Sequence, residues 1–335
     1  MERLDYSGLK QTVRRQLRAA SYKPGTLMLL HAGVALGVSF LITLLNFILA
    51  RQIDNTSGLS GVQTRTVLET VRTVLQYGGS VALPFWEIGI VYAALRWARG
   101  GTALPADLTE GFRRFGPVLR KMLLEGALFF VIGMGCVYLS TGIYMMTPFA
   151  QPLMEIMLPL MENTSVLSQQ IVMDEAVMAA AMEAMTPVFV IFAVVFCVVC
   201  VPLLYRLRMT DFALMDDDCP GALAALLKSW KLTRGNVLQL VRVDLRFWWF
   251  YGLQMLFTAV SFGDVLLPRL GISLPIAEET AYFGFYIVNI LCQLALFRWA
   301  GSRVQTTYAL IYDVLRQNPQ AQAARPAPKH QPWEY

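Results

Sequence analysis

Between Leu27 and Ala50 the chain reads LMLLHAGVALGVSFLITLLNFILA, without a single charged side chain. A helix rising about 1.5 Å per residue covers roughly 36 Å over such a run, enough to cross about 30 Å of hydrocarbon. Five further apolar runs follow: Val81 to Ala98, Met122 to Met146, Pro187 to Tyr205, Val237 to Phe262 and Ala281 to Phe297. None alternates with the period of two that barrel strands require. Of the 335 residues 56% are hydrophobic and 15% charged, and mean hydropathy is +0.50, so lipid is the solvent this composition suits. The sequence predicts an all-α polytopic membrane protein with six transmembrane helices, one membrane domain over residues 1–316, and a disordered cytoplasmic tail over 317–335 rich in Gln, Ala and Pro.

Basic residues fix the orientation. Of 28 Lys and Arg, only Arg51, Arg65, Arg72 and Arg269 fall in one set of alternate connections, and the other 24 lie in the opposite set or at the ends. Connections that keep Lys and Arg are cytoplasmic, so both termini are expected inside a bacterial cell membrane. The net charge of +5 then divides into +12 inside, −6 outside and −1 from Glu87 within the second run. Anionic inner-leaflet lipid accounts for this basicity, and no nucleic-acid partner is needed. The first 25 residues are a charged segment with no signal-peptide pattern, so the first span is expected to stay uncleaved. Four of the five cysteines fall in spans and Cys219 in an inner loop, which leaves no external disulfide framework.

Three inner segments show helical amphipathicity. Leu9, Val13 and Leu17 share one face opposite Arg14, Arg15 and Arg18; Leu104, Leu108, Phe112 and Phe115 form a second stripe; Leu223, Leu226, Leu227 and Trp230 form a third beside Lys228, Lys231 and Arg234. Each is followed by a Gly or Pro breaker and an apolar run. That order is consistent with three helix-span-span repeats over 1–98, 102–205 and 219–300. The outer connection 147–186 lacks Lys and Arg, is acidic and is rich in methionine, as a short helix pair resting on the outer surface would be. Residues 51–76 are expected to hold a separate helix near Val67 to Leu75, and a final inner helix carries Val304, Tyr308, Ile311 and Leu315.

The stretch Ala222-Leu-Ala-Ala-Leu-Leu-Lys-Ser-Trp-Lys-Leu-Thr-Arg-Gly-Asn236, running into Asp244-Leu-Arg-Phe-Trp-Trp249, resembles the bacterial membrane family described as domain of unknown function 975. Pro84 to Gly89, Leu95 to Gly100 and Asp107 to Phe115 look like that family's second span and following loop. The resemblance extends over most of 1–316, is strongest at 222–250 and is loose in the outer loops. It implies a multi-pass protein of no assigned activity and brings no catalytic residues with it.

Glu87 is the sharpest single feature, because an ionisable group inside a span is costly and usually meets a partner. At about a third of the depth from the outer face it could join Gln254, Asn289 and Gln293 in a proton- or cation-coupled polar cluster. It could equally serve as interhelical hydrogen-bonding glue or lie near the outer interface. Arg242 and Arg246, one turn apart at the start of the fifth run, either snorkel to inner headgroups beside Trp248 and Trp249 or contact a partner. Arg14, Arg15, Arg18, Arg113, Arg114, Lys228 and Lys231 join them as candidate contacts for anionic lipid or for a protein partner, a second copy included. Glu125 is expected to pair with a nearby base. Asp216, Asp217 and Asp218 precede Pro220 and read as complements to a helix N-terminus. Cys197-Val-Val-Cys200 lies in unbroken apolar sequence and reads as packing. His31 and His330 cannot form a zinc site together, and the outer methionines read as an apolar face before they read as a copper site. No cofactor or metal is expected. The leading expectation is a non-enzymatic envelope component that scaffolds or binds lipid; the alternative is a transporter of small solutes or ions built around Glu87.

Overall fold

The computed structural model describes residues 6–20, 22–54, 59–152, 154–155, 175–269, 271 and 278–317. Among these there is no strand. The helices are α1 (Tyr6–Ala19), α2 (Pro24–Asp54), α3 (Leu59–Ala98), a 3₁₀ turn Pro105–Thr109 leading into α4 (Glu110–Arg113), α5 (Phe115–Met145), α6 (Glu175–Leu207), α7 (Thr210–Met215), α8 (Ala222–Thr233), α9 (Val237–Arg246), α10 (Trp248–Val260), α11 (Gly263–Arg269), α12 (Glu278–Leu296), a π turn Phe297–Gly301 and α13 (Ser302–Gln317). Much of the expected outer Met-rich helix pair, with Met157, Met161 and Met173, and the expected tail beyond 317 lie outside the described residues. Contacts divide the chain into two compact units, Met1–Leu119 with Met209–Tyr335, and Arg120–Arg208.

Five helical stretches are long and apolar enough to cross a bilayer: Pro24–Ile53, Gln63–Ala98, Phe115–Met145, Glu183–Met215 and Glu279–Gln317. This is the composition and length of a multi-pass helical membrane protein. In the 120–208 unit, Phe130, Tyr138 and Val198 are each about 70% exposed, in a chain segment with few charges to carry them in water. Apolar surface of that extent suits acyl chains. The Tyr144 hydroxyl reaches the carbonyls of Phe149 and Ala184 at 2.8 and 2.9 Å, joining the end of α5 to α6. Glu125 pairs with Lys121 at 2.8 Å, as the sequence leads one to expect.

Two expected spans differ in the larger unit. The helix expected near Val67 to Leu75 and the span expected over 81–98 are one helix, α3, with Gly78, Gly79 and Pro84 all accommodated within it. Its apolar run does not all face lipid: Ile88, Ile90, Ala93, Ala94, Leu95, Trp97 and Ala98 are buried in protein. The run 237–262 is two helices, broken at Phe247 (φ −99°, ψ 14°) between an amphipathic α9 and an apolar α10. With Arg242, Asp244 and Arg246 in its sequence, α9 cannot be lipid-buried on all sides. At about 20 Å, α10 alone is shorter than the hydrocarbon it would have to cross.

The second amphipathic stripe also folds differently. Pro105 and the close approach at Gly111 keep Leu104 to Phe115 from forming one helix; a Cβ on Gly111 would lie 1.9 Å from the Phe85 carbonyl oxygen. Leu108 is buried, whereas Phe112 and Phe115 stack on Phe85 with centroids 5.6 and 4.9 Å apart. The α1 stripe packs partly on protein: Val13 is buried, Leu9 and Leu17 are half-buried, and Gln16 donates to the Ala98 carbonyl at 2.5 Å. In α8 the small residues Ala222, Ala225 and Ser229 face inward, leaving Leu223, Leu227 and Trp230 exposed.

Candidate functional site

The ends of α3, α7 and α13 and the middle of α8 meet at one buried carboxylate. Asp216 is 2% exposed and ends α7 in extended conformation, which turns its side chain back into the unit. Arg99 lies 3.1 Å from it, Lys228 2.9 Å and Arg316 3.1 Å, and the Tyr312 hydroxyl donates to it at 2.7 Å. Arg99 also forks onto Asp313 at 2.9 and 3.2 Å, and Arg316 pairs with Asp218. Burial alone would push the Asp216 carboxyl up, but the hydrogen bonds from Tyr312 and Lys228 and the charges of Lys228 and Arg316 outweigh it and bring the group down to about 2. The fork from Asp313, opposed by burial and helped by both carboxylates, holds the Arg99 guanidinium charged. Asp216 therefore serves a tertiary cluster beyond the expected complement to the N-terminus of α8, whose N-cap is Gly221. The acid is spent on tertiary ion pairing, because three bases converge on it from other helices.

A second ionic joint lies alongside. Arg96 contacts both oxygens of Asp107 at 2.8 and 2.9 Å, while Asp107 also accepts the Leu104 N–H at 2.7 Å. Arg114 bonds Glu110 at 3.2 Å and the Leu214 carbonyl at 3.4 Å, and lies 3.7 Å from Asp217. Of the bases expected to meet lipid, Lys228 and Arg114 are thus engaged within the protein. Arg14, Arg15, Arg18, Arg113, Lys231, Arg242 and Arg246 are exposed, with Arg113 also 3.6 Å from Glu110 and Arg246 also interacting within the protein.

Of the polar groups expected to gather in mid-membrane, Gln254 and Gln293 meet, with Asn289 one turn away, and Glu87 lies on another helix. The Gln293 amide donates to the Gln254 carbonyl at 3.2 Å and lies 3.3 Å from the Thr258 hydroxyl, which joins α12 to α10. Asn289 is half-buried on the same helix. Glu87 is exposed on α3, beside Trp86, whose indole donates to the His31 carbonyl at 2.9 Å. His31 is two turns from the start of α2, so Glu87 is nearer that end than the third-depth position expected. Between α3 and α12 runs α2, which carries Phe40 and Phe47 against Phe283 and Tyr286.

Cavities open among the described residues of the larger unit. One, of about 520 Å³, lies between α2 and α3 and includes Ser39, Thr43, Asn46, Arg72, Gln76 and Tyr282. Another, of about 500 Å³, is bounded by α1, α9, α10 and α13, with Lys10, Arg14, Arg246 and Arg303 around Leu9, Val13, Phe247, Trp249 and Thr307. Sequence reasoning found Arg14 and Arg246 but missed Lys10 and Arg303, since only the packing of α1 on α13 brings the chain ends together. Among the described residues no three His, Cys, Asp or Glu side chains converge where they could hold a metal ion. Comparison with family models, curated proteins and solved structures found no match.

Proposed function

We propose that this chain is a non-enzymatic, lipid-interacting component of a bacterial cell membrane, with both termini in the cytoplasm and related to the domain of unknown function 975 family. The observation that carries this reading is the exposed basic surface on the side of the molecule where α1, α9 and α13 meet, against four Lys or Arg in the opposite connections. Exposed cations beside the exposed Trp248 and Trp299 suit an anionic inner leaflet, where each base near the surface is worth about 1 kcal/mol. The fifth of six crossings would be α10 and α11 together, about 33 Å from Trp248 to Arg269. Its support is antiparallel packing on α12: Gln254 and Thr258 lie against Gln293, and Gly263 lies so close to Phe285 that a Cβ would come within 2.9 Å of the ring. The three-repeat organisation belongs to the same proposal.

The test is lipid recovery. The protein, extracted in a polymer that retains neighbouring lipid, should carry a higher anionic-to-zwitterionic ratio than the source membrane, and Arg14→Glu/Arg15→Glu/Arg18→Glu should lower it. Equal ratios for both proteins and for the membrane would overturn the reading.

The 520 Å³ cavity favours a second reading, a solute carrier that uses Asn46, Arg72 and Gln76 in place of Glu87. Uptake into proteoliposomes lost in Arg72→Gln and kept in Glu87→Gln would support it; no uptake of any tested ion or small solute would remove it.

A further inference from the structure

We infer that the cavity bounded by α1, α9, α10 and α13 is a discrete site for the phosphate-bearing headgroup of one anionic phospholipid, an inference that rests on the lipid-interacting reading above. Four cations, Lys10, Arg14, Arg246 and Arg303, come from three helices, and no carboxylate is among the lining residues. The nearest acid on α9, Asp244, is engaged by the Tyr308 hydroxyl. Guanidinium groups meet phosphate oxygens in a planar two-point geometry, so three arginines and a lysine are suited to a phosphodiester and too many for a single carboxylate. A volume of about 500 Å³ is within the range of small-ligand sites and exceeds what a free phosphate needs.

The rest of the lining chooses lipid over a soluble anion. Leu9, Val13, Phe247 and Trp249 give the cavity an apolar wall, where glycerol and the first acyl carbons would lie. Trp249 also packs on Trp299 at 5.1 Å, and Trp299 and Trp248, the residue before Trp249, are 59% and 69% exposed. Tryptophan of this kind sits at headgroup level, which places the cavity mouth where a phospholipid can enter from the leaflet. The break at Phe247 has a role here: it puts Arg246 at the end of one helix and Trp249 in the first turn of the next, so that charge and ring face the same space.

The experiment is native mass spectrometry of the full-length protein, delipidated in detergent and titrated with phosphatidylglycerol. A single saturating adduct is expected, with phosphatidylcholine binding at least tenfold more weakly. Arg246→Gln/Arg303→Gln should weaken the adduct at least tenfold, Arg246→Lys/Arg303→Lys should recover part of it, and Arg51→Gln/Arg65→Gln, an equal charge change in the opposite connections, should leave it intact. Melting temperature in lipid-free detergent checks that the variants fold; a double variant that does not fold is replaced by Lys10→Gln/Arg14→Gln on the separate helix α1. Inorganic phosphate displacing the lipid at equal concentration would overturn the lipid assignment in favour of a soluble anion. Several weak adducts indifferent to the substitutions would overturn the site. If anionic enrichment in polymer discs persists in that case, the general reading stands without the site; if enrichment is also absent, both fall.

Discussion

Replacing Asp216 with Asn would remove the negative charge on which Arg99, Lys228 and Arg316 converge while keeping an acceptor for Tyr312. A carboxyl held at about 2 in place of its ordinary 3.8 corresponds to about 2.5 kcal/mol in favour of the ionised, folded form. Only part of this is lost when α13 opens locally, since α13 supplies Tyr312 and Arg316 while Lys228 and Arg99 remain. The three bases are also partly solvated and recover some hydration once released. A loss of about 1 to 2 kcal/mol follows for α13, which is roughly a 5- to 30-fold acceleration of amide hydrogen exchange over Ser302–Gln317. The sign of the pH dependence is set by a depressed carboxyl: the stabilisation is complete above about pH 5 and is lost progressively as pH falls through about 2. Hydrogen exchange with mass readout on detergent-purified protein measures both. Exchange in α13 of Asp216→Asn within twofold of the parent at pH 7 would refute the view that this carboxylate fastens the helix.

Tyr312→Phe should cost about 1 kcal/mol at the same helix, one hydrogen bond to a charged acceptor less a retained ring, visible as a smaller acceleration in the same exchange assay. Gly89→Ala should lower the yield of monodisperse protein sharply, because its Cβ would fall 2.0 Å from the Leu108 carbonyl oxygen, whereas Gly126→Ala, with nothing within 4 Å, should purify as the parent does on size-exclusion chromatography. In a cysteine-free background, Val67→Cys should react with an impermeant maleimide in intact cells and Arg15→Cys only after permeabilisation; the reverse pattern would invert the orientation.

How far the fold could be read from the chain depended on what each apolar residue faces. The run Leu27 to Ala50 and the helix α2 agree within a turn at each end, because lipid-facing sequence carries its signal in every residue. Val81 to Ala98 was legible as helix but not as a segment whose second half is protein core, since Ile88 or Leu95 has the same hydropathy against lipid as against a neighbouring helix. The break at Phe247 left no Gly or Pro to mark it; the charged turn Arg242 to Arg246 was its only local sign. At the candidate sites the basic residues were visible, but their partition was not. Lys228 and Arg246 are alike in sequence, each a base beside tryptophan, and only the distance to Asp216 commits the first to the interior. The cavity bases Lys10 and Arg303 are almost three hundred residues apart, a pairing that periodicity cannot register.

The larger unit is discontinuous, and this gives its assembly an order in time. Arg99 is made long before Asp216, Asp313 and Arg316, with the whole of the 120–208 unit synthesised in between. At about 5 to 20 residues per second, roughly 10 to 45 seconds separate translation of Arg99 from that of Arg316. During that interval the C-terminal end of α3 presents Arg99 and an apolar face with no C-terminal helix to cover it, so a chain released before residue 316 would be unfinished. Until α13 is made, Arg99 lacks Asp313 and Asp216 lacks Tyr312 and Arg316, so the cluster that fastens these helices closes only after the intervening unit has been synthesised.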